Sequence, residues 1–167
     1  MGELWSSFGE FDSAEEINKA AEGLKNEGDR ESLFKLAEEN GIDRFDAEDY
    51  LNGDMPELTG VIDAALGKLS VESVAANLPK DCLLYDWISY IRSLAGEDME
   101  MAGNIRRKGR SLVGCIGEVM KEAFRNQWAV PDDIRKAAGI SAGKVTFGIP
   151  GTAKVKEIIK EYYGGER

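Results

Sequence analysis

A chain of 167 residues with 43% apolar residues and a formal net charge of −10 can bury a core of its own and stay folded without a covalent staple. It holds no histidine, which removes the usual general base near neutral pH, the commonest zinc ligand and the standard partner of a nucleophilic Ser or Cys. Catalytic triads, zincins and classical zinc fingers are thereby excluded, and although carboxylate-bound magnesium chemistry survives on composition, 31 acids on a solvated helical protein define no site.

Helix punctuation is dense from the start. Ser13 and Glu16 stand at capping-box spacing before Ile17, Ala20, Ala21 and Leu24, and Gly28 is placed to end that helix. Asp29 predicts the cap of a second helix, with Leu33, Leu36 and Ala37 as its apolar stripe and Asn40-Gly41 as its stop. A third short helix is expected from about Asp43 to Leu51, burying Ala47, Tyr50 and Leu51 and closing at Asn52-Gly53.

The apolar pattern then runs Leu58, Val61, Ile62, Ala65, Leu66 and Leu69, followed by a short piece from Val71 to Leu78 that Pro79 terminates. A core helix is predicted over Lys80 to Ala95, with Leu83, Leu84, Trp87, Ile88, Ile91 and Leu94 at helical spacing. Another is predicted from about Asp98 to Gln127, with a kink or a close helix contact near Gly109 to Gly117. Asp132 and Asp133 open a short helix through Ala138. Residues 139–151 read as a loop with room for one brief strand at Lys144 to Phe147, and Thr152 is expected to cap a last helix burying Val155, Ile158, Ile159 and Tyr162. The fold expected is mostly α, a compact bundle of about seven to eight short-to-medium helices with at most one short β segment near 144–147. It is read as one domain over 1–167, an acidic helical part at 1–63 and a core and basic part at 64–167.

Cys82 and Cys115 lie far apart without CxxC spacing, and the opening Met1-Gly2-Glu3-Leu4-Trp5 lacks the basic and apolar regions of a secretory signal. The expected compartment is therefore reducing and cytoplasmic. Both thiols read as small buried hydrophobes, and Trp5, Trp87 and Trp128 as core or rim anchors. The apolar runs are broken every few residues, far short of the ~20 needed to cross a bilayer. The net charge hides a polarity: residues 1–63 carry 18 acids against 5 bases, whereas residues 104–167 carry 13 bases against 7 acids. Separated poles of this kind suit charged macromolecular partners, although acidic helices also serve solubility alone.

Three segments invite a chemical reading. Residues 37–50 have helix-turn-helix spacing, but the second helix holds Asp43, Asp46, Glu48 and Asp49 against Arg44, and carboxylates beside DNA phosphates would cost affinity. Either this is a local helical hairpin, or the acidic face occupies a basic nucleic-acid channel in place of phosphates. Residues 139–145 resemble a P-loop only in outline: three residues separate Gly139 from Gly143 and Val145 follows Lys144, so nucleotide hydrolysis is rejected, while Lys144 and the loop amides could still touch a phosphate. The run Arg106, Arg107, Lys108 and Arg110 is the densest positive charge; it either meets a nucleic-acid backbone or acidic protein groove, or pairs with the acidic N-terminal third inside the fold.

Taken together, Phe8-Gly-Glu-Phe-Asp-Ser-Ala-Glu-Glu-Ile17, Glu27-Gly-Asp29, Leu36-Ala-Glu-Glu-Asn-Gly-Ile42, Gly109-Arg-Ser-Leu-Val-Gly-Cys-Ile116, the stretch 139–151 and Glu161-Tyr-Tyr163 resemble proteins carried by phages and integrative elements of clostridial bacteria. Among these the chain resembles a type II-A anti-CRISPR family over nearly its full length. Ser111, Gly114 and Cys115 are also similar to PcfK-like proteins of conjugative elements. The resemblance implies a protein that binds Cas9 or its guide-RNA complex and blocks target binding or cleavage, with no cofactor and no catalysis of its own. It carries no site residues over. The candidate contacts, Asp43, Asp46, Glu48 and Asp49 on one face and Arg106, Arg107, Lys108, Arg110 and Lys144 on another, come from charge alone. The alternative expectation is a double-stranded-DNA-binding accessory or regulatory protein of a mobile element, without membrane association, as a monomer or small homo-oligomer.

Overall fold

The computed structural model describes residues 4–78 and 81–165; the helix stop expected at Pro79, the start expected at Lys80 and the opening Met1, Gly2 and Glu3 lie outside them. The protein is mostly helical, with nine helices and one two-stranded antiparallel sheet among the described residues. Two compact units form, residues 1–113 and 114–167. No helix among the described residues is long and apolar enough to cross a membrane.

The first unit begins with three helices whose ends follow local chemistry. Helix α1 (Ala14–Glu27) is capped by Ser13, which accepts from the Glu16 amide at 3.3 Å, and closes at Gly28 in the left-handed region. The Glu16 carboxylate reaches back to the Asp12 amide at 2.7 Å, one residue beyond the usual reciprocal bond. Helix α2 (Arg30–Glu39) is capped by Asp29, and α3 (Arg44–Asn52) by Asp43. Their shared core is built from Ile17, Ala21, Leu33, Leu36, Ala47 and Leu58. Across it run α4 (Val61–Ala76), α5 (Leu83–Glu97) and α6 (Met99–Arg106), with α4 packed on both others.

Two expectations about helix limits change. The two pieces foreseen at 58–69 and 71–78 are one continuous α4, because the Ser70 and Ser73 hydroxyls bond back to the Leu66 and Leu69 carbonyls and remain compatible with helix. The long helix foreseen at 98–127 is instead two helices, α6 and α7 (Leu112–Arg125), separated by a turn at 107–111 in which Gly109 takes φ +77°. The core helix is displaced slightly: α5 starts at Leu83, which is exposed, and buries Trp87, Ile88, Ile91 and Ala95.

The α2–α3 turn lies against α4 backbone to backbone. A Cβ on Gly67 would stand 2.2 Å from the Asn40 carbonyl oxygen, and one on Gly41 would stand 2.4 Å from that of Gly67. No side chain fits between these segments.

In the second unit, α7 continues into β1 (Trp128–Ala129), α8 (Asp132–Ala137), β2 (Thr146–Phe147) and α9 (Thr152–Gly164). The strand expected at 144–147 exists, and its partner is β1, with Trp128 opposite Phe147 and Ala129 opposite Thr146. Gly148 then meets α7 so closely that a Cβ would stand within van der Waals exclusion of the Ala123 carbonyl. Thr152 does not cap α9: Gly151 occupies the cap position and Thr152 is the first helical residue, with no side-chain cap bond.

Candidate partner-binding surface

Helix α3 is held from behind and open in front. Ala47 and Tyr50 are buried, Arg44 lays its guanidinium 4.3 Å from the centre of the Phe34 ring and pairs with Glu48 at 3.3 Å, and Lys25 donates to the Tyr50 carbonyl. Asp43, Asp46 and Asp49 are exposed and Glu48 is half-buried. The four acids are not equivalent: Asp43 accepts from the Phe45 amide at 2.8 Å and so is committed to starting the helix. On the same short helix Phe45 stands 75% exposed, next in sequence to Arg44 and Asp46.

Asp43 and Asp46 also overlook a groove of about 340 Å³ shared with α4, where Asp63 contributes a third carboxylate above Ile42, Met55 and Leu66. A long cationic side chain from a partner fits this chemistry, its stem on the apolar floor and its head among the acids. A wider surface groove of about 680 Å³ adjoins α1, with Glu15, Glu22 and Glu57 facing Lys19 and Lys25.

The basic run is split by the fold. Arg107 and Lys108 are exposed, but Arg106 is 1% exposed and Arg110 is buried, so the four do not share a solvent face. Arg106 donates from Nη2 to Asn40 Oδ1 at 2.7 Å, and Asn40 in turn donates to the Leu36 carbonyl at 2.8 Å, which ties α6 to the end of α2. The N-terminal acids reach this turn through its backbone: Asp12 Oδ1 takes the Lys108 amide at 2.9 Å and Glu10 Oε2 the Gly109 amide at 3.0 Å. Lys144 is exposed and belongs to the second unit, just before β2.

Beneath the turn lies a buried ionic cluster that charge counting alone does not reveal. Lys68 Nζ meets Glu10 Oε1 at 2.6 Å and the Arg107 carbonyl at 2.8 Å, and one helical turn later Glu72 Oε2 accepts the Leu112 amide at 2.9 Å. Glu72 Oε1 and Arg106 Nε and Nη1 have no hydrogen-bond partner among the described residues. Burial pushes the Glu72 carboxyl up to about 7, against the pull of the Lys68 charge and the Leu112 amide. Burial likewise lowers Lys68, although Glu10 and Glu72 favour its charged form. Arg106 is lowered by the same cause. The one available signal was the pairing of Lys68 and Glu72 four residues apart on an otherwise apolar helix.

Cys82 is half-buried, Cys115 is buried, and neither forms a disulfide. Among the described residues no three of His, Cys, Asp and Glu stand close enough to hold a metal ion. Compared with family models, curated proteins and solved structures, the chain matches none.

Proposed function

We propose that this protein is a stoichiometric binder that covers a basic macromolecular groove, and that its partner is Cas9 or the Cas9–guide RNA complex, whose target binding or cleavage it blocks. The observation that carries the binding reading is α3: an exposed aromatic ring at Phe45 and exposed acids at Asp43, Asp46 and Asp49, on a helix locked to the core by Ala47 and Tyr50. Such a surface offers an apolar anchor for affinity and carboxylates for steering and register, with little ordering left to do on docking. The choice of Cas9 rests on the family resemblance of the sequence. It is physically coherent with a nuclease that holds its heteroduplex in a positively charged channel.

The test is a cleavage assay with purified, guide-loaded Cas9 and increasing amounts of the full chain. Cutting falls to background near equimolar protein if the proposal holds; undiminished cutting at large excess overturns the choice of partner. Asp46→Lys, Glu48→Lys and Asp49→Lys combined with Asp43→Asn, which preserves an acceptor for the α3 cap, should restore cutting.

The second reading, a duplex-DNA-binding accessory protein of a mobile element, draws support from the exposed Arg107, Lys108 and Lys144. It requires duplex binding at physiological salt, read by gel shift, with no effect on Cas9.

A further inference from the structure

The second unit presents a feature that the acidic surface does not explain. Its two strands are only two residues long, yet each holds one aromatic residue, and the register sets Trp128 directly opposite Phe147. Directly opposed residues of an antiparallel pair point to one face. The rings accordingly lie together, centroids 6.0 Å apart at 29°, and remain 52% and 50% exposed. Fully burying such rings would be worth several kcal/mol, roughly 25 cal/mol per Å². The fold leaves them half in water.

The pair is not loosely held. Val130 donates to the Val145 carbonyl at 2.9 Å, extending the ladder by one rung, and Thr146 Oγ1 bonds Gln127 Oε1 at 3.1 Å. Gly148 brings the end of β2 into backbone contact with α7. The sequence that runs through β2 carries charge of one sign. From residue 134 to residue 156 the chain carries Arg135, Lys136, Lys144, Lys154 and Lys156 and no acid, within a protein of net charge −10. Asp132, just before this stretch, is engaged by Arg135 at 2.9 Å. Lys144 is exposed and three residues from Phe147.

We propose that the Trp128–Phe147 ring pair, with the exposed Lys144 three residues before Phe147, is a stacking platform for a single-stranded nucleic acid. Unpaired bases present π-faces that stack on exposed rings, while the adjoining phosphates are met by lysines; this chemistry is common to DNA and RNA and tolerant of sequence. A duplex keeps its base faces against one another and would touch only the cations. Single strands are therefore preferred over duplex, which separates this site from any phosphate-only contact. The inference stands apart from the Cas9 proposal: either can fail alone.

The experiment titrates the full chain into fluorescein-labelled oligothymidylate, oligouridylate and a blunt duplex of equal length, followed by anisotropy at low and moderate salt. The expected result is saturable binding of a single strand at least tenfold tighter than of the duplex. Trp128→Ala and Phe147→Ala should each weaken it about tenfold, in line with the loss of one base–ring stack. Lys144→Glu, at an exposed position that folding does not use, should weaken binding at low salt and reduce the slope of log affinity against log salt by about one. No saturable binding at about 100 µM protein, the weak end of non-specific association, overturns the proposal. So does equal affinity for duplex, or unchanged affinity in Lys144→Glu; that last arm decides the matter even where a ring variant fails to fold. Self-association that is lost in Trp128→Ala, without any oligonucleotide binding, assigns the rings to a second copy of the chain and likewise overturns it.

Discussion

Replacing Glu72 by glutamine should make the protein markedly less sensitive to alkaline pH. In the folded chain the carboxyl is 3% exposed, with one oxygen bonded to the Leu112 amide and the other without a partner among the described residues, and burial raises it from the ordinary 4.5 to about 7. Between those two values the folded state keeps the proton and the unfolded state releases it, so stability falls as pH rises through this window. Each pKa unit corresponds to 1.36 kcal/mol, so the loss reaches about 3 kcal/mol by pH 8. Glutamine has the same shape, can still accept from Leu112 and does not ionise. Urea unfolding of both proteins from pH 4.5 to pH 8 should therefore show nearly equal stability at the acid end and an advantage of about 3 kcal/mol for Glu72→Gln at the alkaline end. A difference that stays flat across that range would refute the reasoning, since other ionisable groups are common to both proteins.

Gly67→Ala should lower the thermal midpoint by circular dichroism and cost at least about 2 kcal/mol, because its Cβ would collide with the Asn40 carbonyl in the α2–α3 turn. By contrast Gly23→Ala, in the middle of α1 with nothing within 4 Å, should stabilise by about 0.5–1 kcal/mol. Lys68→Ala leaves Glu10 and Glu72 without their buried cation and should cost about 3–5 kcal/mol, whereas Arg107→Ala and Lys108→Ala should stay within about 0.5 kcal/mol of the parent in the same denaturant titration. Phe45→Ala should leave unfolding unchanged yet weaken partner binding at least about tenfold by calorimetry, as expected for an exposed anchor ring.

Much of the helical layout is legible residue by residue because caps and stops are local events. Ser13, Asp29 and Asp43 accept amide hydrogens two or three residues ahead, and Gly28 and Gly53 supply the left-handed turn that ends a helix, so nearby sequence suffices to place them. The partner strand of Thr146–Phe147 was not legible, since two residues of β structure carry no period to detect and their pairing spans the whole of α8. The same holds for the break between α6 and α7. Spacing places Met101, Ile105, Leu112 and Ile116 on one helical face, but Glu10, Asp12 and Glu72 capture the amides of residues 108, 109 and 112, and those contacts cross 40 to 99 positions of sequence.

The candidate surfaces divide along the same line. The acidic identity of α3 is a matter of composition, and its exposure follows from burying Ala47 and Tyr50 on the opposite side. The basic run reads as one charged patch only until Arg106 and Arg110 turn inward. Likewise Trp128 reads as an anchor until β2 sets Phe147 against it in a half-exposed pair.

Helical class, the limits of most helices, the absence of imidazole chemistry and the polarity of charge were all determined by sequence alone, because each depends on residue identity or on neighbours within a turn or two. Tertiary structure alone decided which charges face water. Burying an ion is tolerable only where distant partners converge on it, and that convergence, of Glu10 and the 106–107 carbonyls on Lys68 and of Asn40 on Arg106, exists nowhere but in the folded chain.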